Sequence, residues 1–340
     1  MRVILTGHKG YIGTVAAEML HAAGHEVIGL DTDLFSGCDF GNPNPEIPEL
    51  RKDFRDLSVS DFRGTDAIVH FGALSNDPLG NLDPQLTYDI NHRASVHMAE
   101  LGKTAGVSRF VFSSSCSTYG AAGDHFLDES AELNPVTPYG ESKVWVERDL
   151  TPLADDRFSP TFMRNATAYG VSPRLRLDIV LNDLVAWAYT KGKVHIKSDG
   201  TPWRPIVHIR DIIAAVVSVL DAPREVVHNH VFNVGRTDEN YRISELAVIV
   251  SETVPGCEIE FAPGGGPDKR CYRVNCDKIR RVLPSFQPQW NARKGAKELF
   301  DAYQAVKLTF EDVQMGSYVR MEHIKRLLAS GHLDHSLHWK

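Results

Sequence analysis

The feature that most constrains this chain lies in its first thirteen residues. Gly7, Gly10 and Gly13 stand three apart, after the β-rich run 2–5 and before a helical pattern from Ile12 to Ala23 that stops at Gly24. Glycine permits a tight turn and close backbone approach, and the free N–H groups of a helix N-terminus suit a pyrophosphate. Gly7, Lys9, Gly10, Tyr11, Ile12 and Gly13 therefore form a candidate phosphate cradle. A glycine trio alone is a weak signal. Its position between a strand and a helix gives it weight.

Strand and helix signals keep alternating through the first half. Val27–Asp31, Ala67–Phe71, Arg109–Ser113 and Phe158–Arg164 read as strands, with helices over Pro84–Ala105 and Pro138–Asp149. Such alternation argues for βαβ units and a parallel sheet covered on both faces. After about residue 170 the pattern loosens, broken by segments 200–205 and 262–267, with 207–220 and 231–234 expected to return to the sheet. The expected fold is α/β, a Rossmann doubly wound parallel sheet with a smaller C-terminal α/β substrate-binding lobe. Residues 1–170 and 206–235 are assigned to the first lobe, and 171–340 mainly to the second.

Composition narrows the function. A formal net charge of −7 argues against a nucleic-acid surface, which carries a basic stripe. No apolar run reaches the ~18–20 residues of a membrane span, and the opening run is too short for a signal peptide. A cytoplasmic protein is expected. Cys38, Cys116, Cys257, Cys271 and Cys276 are scattered without a C-x-x-C pair, which fits reduced thiols and no metal site. His332, His335 and His338 read as a solvated tail, and His228 and His230 as a strand edge.

Three further signals carry chemistry. Asp31 ends the second strand, 18 residues beyond Gly13. A carboxylate there accepts from both adenosine ribose hydroxyls and repels a 2′-phosphate, so the expected cofactor is NAD rather than NADP. Tyr139 and Lys143, at i and i+4 of a helix, share one face. A phenol of pKa about 10 is a poor base at neutral pH until a nearby ammonium favours its phenolate. The preceding strand ends in Ser113, Ser114 and Ser115.

Together these elements resemble the extended short-chain dehydrogenase/reductase superfamily, in its branch of nucleotide-sugar epimerases and dehydratases. The resemblance runs from residue 1 to about 300 and is most specific over the first 170. It implies that Ser115 is the catalytic hydroxyl, Tyr139 the general base and acid, and Lys143 the residue that holds the ribose and tunes Tyr139. It implies further NAD contacts from Asp53, Phe54, Phe71, Gly72, Ala73, Asn91 and Ser113. Substrate contacts are implied for Ser75, Ser115, Ser117, Thr167, Asn182, Arg204 and Arg270, with the arginines gripping a diphosphate. Asp211 is read as the N-cap of the helix that follows it. The chain departs from the family pattern at three places. Thr167 replaces an asparagine, Ser75 replaces a lysine, and an arginine is missing before the turn at 264–267. Arg270 is preferred to Lys269 and Arg273 as its substitute.

The implied reaction is hydride transfer at C4 of a nucleotide-diphosphate sugar through a 4-keto intermediate. Dehydratases of this branch carry Asp and Glu directly after the catalytic hydroxyl, where this chain has Cys116 and Ser117. An NAD-dependent epimerase is therefore preferred, with a 4-dehydrogenase or ketoreductase as the alternative. A 4,6-dehydratase and a non-enzymatic NAD sensor rank below both. Cys116 is read as a buried thiol, and a homodimer without nucleic-acid or membrane partners is expected.

Overall fold

The computed structural model describes residues 1–41, 46–75, 83–263, 270–315 and 317–340. Seven strands form its main sheet: β1 (Arg2–Thr6), β2 (Glu26–Leu30), β3 (Glu49–Leu50), β4 (Ala67–His70), β5 (Arg109–Ser115), β6 (Ser159–Asn165) and β7 (Val231–Val234). Their order is β7-β6-β5-β4-β1-β2-β3, and every pairing is parallel. Every residue of β4 and β6 is buried, as befits central strands covered on both faces. The strand order reverses between β1 and β4, and a crevice opens there beyond the carboxyl ends of the strands.

Helices α1 (Tyr11–Ala22) and α3 (Pro138–Leu150) line that crevice, while α2 (Ala94–Ala105) packs Met98 and Ala99 into the core beside the sheet. Gly7 adopts φ +70°, and a Cβ on Gly13 would stand 1.9 Å from the Gly7 carbonyl oxygen. Only glycines let α1 seat this closely on the turn. The start of α3 is fixed by Thr137, whose Oγ1 accepts from the Gly140 N–H at 3.2 Å, and by Pro138 in the first turn.

The single helix expected over Pro84–Ala105 is interrupted. Pro84–Tyr88 is α-helical, Asp89–Arg93 is a π-helical turn, and α2 follows. The wider turn points Asn91 inward, where it accepts from the Leu74 N–H at 2.8 Å and donates to the Leu74 carbonyl at 3.0 Å.

In the second half, α4 (Val180–Lys191) opens a lobe whose core joins Leu181, Leu184, Leu246, Val250, Leu299 and Tyr303. The expected return of 207–220 divides. Trp203–His208 pairs with Thr167–Tyr169 and Asn240–Arg242 in a separate three-stranded sheet. Helix α5 (Ile209–Asp221) instead packs Ile213, Val216 and Val219 into the core of Val3, Leu5 and Val15. Asp211 is not the N-cap of α5. That role falls to His208, whose Nδ1 accepts from the Arg210 N–H, while Asp211 lies one turn in and accepts from the N–H groups of Gln289 and Trp290.

His332 and His335 are exposed, as expected, but the segment that carries them is not a free tail. After α6 (Arg320–Ala329) the chain turns back onto the first lobe, burying Ile324, Leu333 and Leu337 against Leu74, Leu86 and Ile90. The Trp339 indole donates to the Thr32 carbonyl at 2.7 Å, and the Arg55 guanidinium donates to the Ser336 carbonyl at 2.6 Å. Among the described residues, no helix is long and apolar enough to cross a membrane.

A buried ion pair ties α3 to the sheet. Arg164 of β6 meets Glu147 of α3 at 2.6 Å, and Ser114 of β5 donates to the same carboxylate at 2.5 Å. Removing one partner strands the other charge, so Glu147→Ala should cost roughly 3–5 kcal/mol of stability. Urea denaturation checks this. A loss under about 1 kcal/mol, within the range of an exposed pair, would show that the pair holds nothing in place.

Candidate active site

The carboxyl ends of β1, β2, β4, β5 and β6 converge on one cavity of about 390 Å³. The glycine turn forms one wall through Gly7, Lys9, Gly10, Tyr11, Ile12 and Gly13. The N-cap of α1 is Gly10, which has no side chain to cap the helix, and Gly10 to Gly13 line the cavity. This open, glycine-lined helix start fits a dinucleotide pyrophosphate. NAD fits the neighbouring wall as well. Asp31 lines it, with one carboxylate oxygen accepting from the Lys9 N–H at 3.0 Å and the other from the Asp33 N–H at 2.8 Å. Burial raises its pKa, and the two N–H bonds oppose that rise.

The charges flanking Asp31 are balanced locally. Lys9 Nζ lies 2.8 Å from Glu49, whose carboxyl is held below its ordinary value chiefly by that hydrogen bond. Asp33 pairs with Arg174 at 3.1 Å, so an arginine does reach this corner, from 141 residues away in sequence. Asp53 and Phe54 line the cavity beside Arg55, which holds the Asp53 carboxylate at 2.6 Å. Phe71, Gly72 and Ala73 line it from the end of β4.

The reacting corner is built from β5 and α3. Ser113, Ser115, Ser117, Tyr139 and Lys143 all line the cavity. Ser115 Oγ accepts from the Ser117 N–H at 3.1 Å and from Ser117 Oγ at 2.9 Å. Lys143 is buried, with Nζ donating to the Ser113 carbonyl at 2.8 Å and lying 5.7 Å from the Tyr139 ring centre. Burial pushes its ammonium down to about 7, opposed by the Glu147 carboxylate. Cys116 does not line the cavity. It is fully buried, its thiol donates to the Arg164 carbonyl at 3.1 Å, and burial drives its pKa far up.

Residues expected to touch ligand divide into two groups. Ser75, Thr167, Arg204 and Arg270 line the cavity. Arg204 donates to the carbonyls of Trp203 and Arg270, so the two arginines are neighbours on the second-lobe side. Arg273 turns away and stacks over Phe126 and Trp203, while Lys269 lies outside the described residues. Two amides expected at ligands face the protein instead. Asn91 is spent on Leu74. Asn182 is fully buried, accepting from the Gly170 N–H and donating to the Tyr11 hydroxyl and the Arg176 carbonyl. Neither lines the cavity, and each sets the position of a segment that does.

Sequence reasoning missed Arg55, Arg176, Asp178 and Arg320, which all line the cavity. Arg176 donates to Ser75 Oγ at 2.9 Å and pairs with Asp178 at 2.8 Å. Ser75 standing where a lysine was expected was the signal that a cation had moved. Arg320 offered no such signal.

Comparison with known proteins agrees with this geometry. Residues 3–235 match the model of the NAD dependent epimerase/dehydratase family. A UDP-glucose 4-epimerase of Lactobacillus helveticus is 30% identical over 308 residues, 83% of this chain and 91% of that protein. UDP-glucuronic acid decarboxylase 1 of Arabidopsis thaliana is 26% identical over 320 residues, 89% of this chain and 70% of that protein. The solved UDP-glucose 4-epimerase of Thermotoga maritima with UDP-glucose superposes with a TM-score of 0.79 at 22% identity, covering 91% of this chain and 100% of that one. The chain belongs to the NAD-dependent epimerase/dehydratase family and is an NAD-dependent enzyme of the extended short-chain dehydrogenase/reductase type.

Proposed function

We propose that the protein is an epimerase that inverts a hydroxyl-bearing carbon of a nucleotide-diphosphate sugar through a 4-keto intermediate. The observation that carries this reading is the meeting of Ser115, Tyr139 and Lys143 in one cavity, with the thiol of Cys116 turned away from it. When bound, NAD supplies the hydride acceptor and donor. The chain's own residues manage the proton. Tyr139 Oη takes it from the C4 hydroxyl and later returns it, while Ser115 Oγ hydrogen-bonds the same sugar oxygen. The Lys143 ammonium favours the phenolate by its charge. Arg204 and Arg270 are proposed to hold the substrate's diphosphate, and Thr167, Ser117 and Ser75 to bond the sugar. The same reading takes the protein as a homodimer.

A dehydratase needs a proton donor near the departing hydroxyl and a base near C5. Ser117 and a buried thiol of raised pKa are poorly suited to both tasks. Incubation with a panel of nucleotide sugars in deuterated water should therefore give a product of equal mass, or one differing by two hydrogens in the ketoreductase alternative. It should carry no solvent deuterium at C5 or C6. Loss of water together with such deuterium overturns the epimerase reading.

Tyr139→Phe should lower turnover about 10²–10⁴-fold, the usual contribution of a general acid–base group, while NAD binding stays nearly intact. Turnover within about threefold of wild type removes Tyr139 from the mechanism.

Lys143 also makes stability depend on pH. Its ammonium titrates at about 7 in the folded chain against an ordinary value of 10.5. Between these values the unfolded chain holds more protons, so stability rises with pH. The cost of the buried charge is full below 7 and is relieved toward 10.5. Melting temperature should accordingly rise from pH 6 to 9 relative to Lys143→Met, and a constant difference would show that Lys143 does not titrate there.

A further inference from the structure

Two buried guanidinium groups line the cavity without full pairing. Arg176 spends Nε on Asp178 and one terminal nitrogen on Ser75, and its other terminal nitrogen is buried without a partner among the described residues. Arg320, 2% exposed, donates one terminal nitrogen to the Arg174 carbonyl at 2.9 Å, while the other has no partner among the described residues. Among the described residues no carboxylate stands at ion-pair distance from Arg320, whose guanidinium lies 4.0 Å from the Phe35 ring centre. Burial, and next the Arg176 charge, push Arg320 down to about 10.

An unpaired buried cation is costly, as is a buried donor without an acceptor. Two such groups on one cavity wall mark a place built for an anion. The surroundings indicate which anion. Asn182 fastens the Arg176 carbonyl and the Tyr11 hydroxyl with one amide, at 2.9 and 3.2 Å, which sets Arg176 beside the glycine turn. Ser75 follows the Phe71–Ala73 wall, and Phe35 follows Asp31. Tyr11, Ser75 and Phe35 thus set the pair against the dinucleotide half, while Asp178, the ion-pair partner of Arg176, lines the cavity from the second half of the chain. Arg204 and Arg270 lie on the other lobe.

We propose that Arg176 and Arg320 form a two-guanidinium clamp that grips the dinucleotide's diphosphate from the side facing the glycine turn, with Arg176 standing in for the lysine expected at position 75. The diphosphate offers several charged acceptors, and a planar guanidinium matches them with directed, charge-assisted bonds. The clamp rests on the reading of this cavity as the NAD site. The sugar nucleotide also carries a diphosphate, so the test has to separate the two sources.

Isothermal titration of the full chain with NAD⁺, ADP-ribose, adenosine and UDP does so. Arg176→Gln should weaken NAD⁺ and ADP-ribose alike by about 10–100-fold, the scale of hydrogen bonds to charged groups. Adenosine and UDP should change less than about twofold, and Ser75→Lys added to Arg176→Gln should restore most of the loss. Arg320→Gln should act in the same direction. Should that variant unfold, Arg320→Lys keeps the charge but not the fork and should still bind NAD⁺ more weakly than wild type. Unchanged NAD⁺ affinity in the Arg176 variant overturns the clamp. So does a loss confined to UDP, which assigns the pair to the sugar nucleotide, or an equal loss for adenosine, which makes the role structural. If wild type binds neither NAD⁺ nor ADP-ribose, the dinucleotide reading falls and the clamp with it, an outcome distinct from a loss confined to the variants.

Discussion

The active corner depends on the buried pair of Glu147 and Arg164. Tyr139, Lys143 and Glu147 follow one another at intervals of four on α3, so they share a face. Glu147 anchors that face to β6 through Arg164 and to β5 through Ser114. Arg164 also donates to the Tyr119 hydroxyl at 3.0 Å, and Tyr119 donates to Asn233 of β7 at 2.8 Å. Rotation of α3 about its axis would have to break this network. Burying two charges costs desolvation, which close geometry and added hydrogen bonds offset. What the pair supplies is position, and a proton transfer needs groups held within hydrogen-bond reach.

The parts legible in the sequence are those with a local physical cause. The glycine turn, the strand-ending Asp31 and the four-residue step from Tyr139 to Lys143 each follow from sterics or helix periodicity over a few residues. Arg174 and Arg320 were not legible, because they reach the site from 141 residues beyond Asp33 and from the last helix. Residue type also fails to say which way an amide faces. Asn91 and Asn182 look like ligand contacts, but both bond backbone and fix the walls. At the C-terminus exposed His332 and His335 alternate with Leu333 and Leu337, whose spacing of four is the packing signal.

Net charge is a poor guide to the cavity. The chain carries −7 overall, yet the described lining holds Lys9, Arg55, Lys143, Arg176, Arg204, Arg270 and Arg320 against Asp31, Asp53 and Asp178. An acidic protein thus presents a cationic cleft, in which low-dielectric walls strengthen attraction for phosphorylated ligands. The acidic surface keeps that preference confined to the cleft.

The return of residues 317–340 to the first lobe has a consequence for the order in which the molecule is completed. The glycine turn and α6 lie far apart in the chain, so a ribosome delivers one side of the cleft well before the other. Until α6 arrives, Leu34, Phe35, Leu74 and Leu86 lack the apolar cover that Ile324, Leu333 and Leu337 provide. In that interval these side chains form an uncovered apolar margin, the kind of surface that chaperones hold and aggregates recruit.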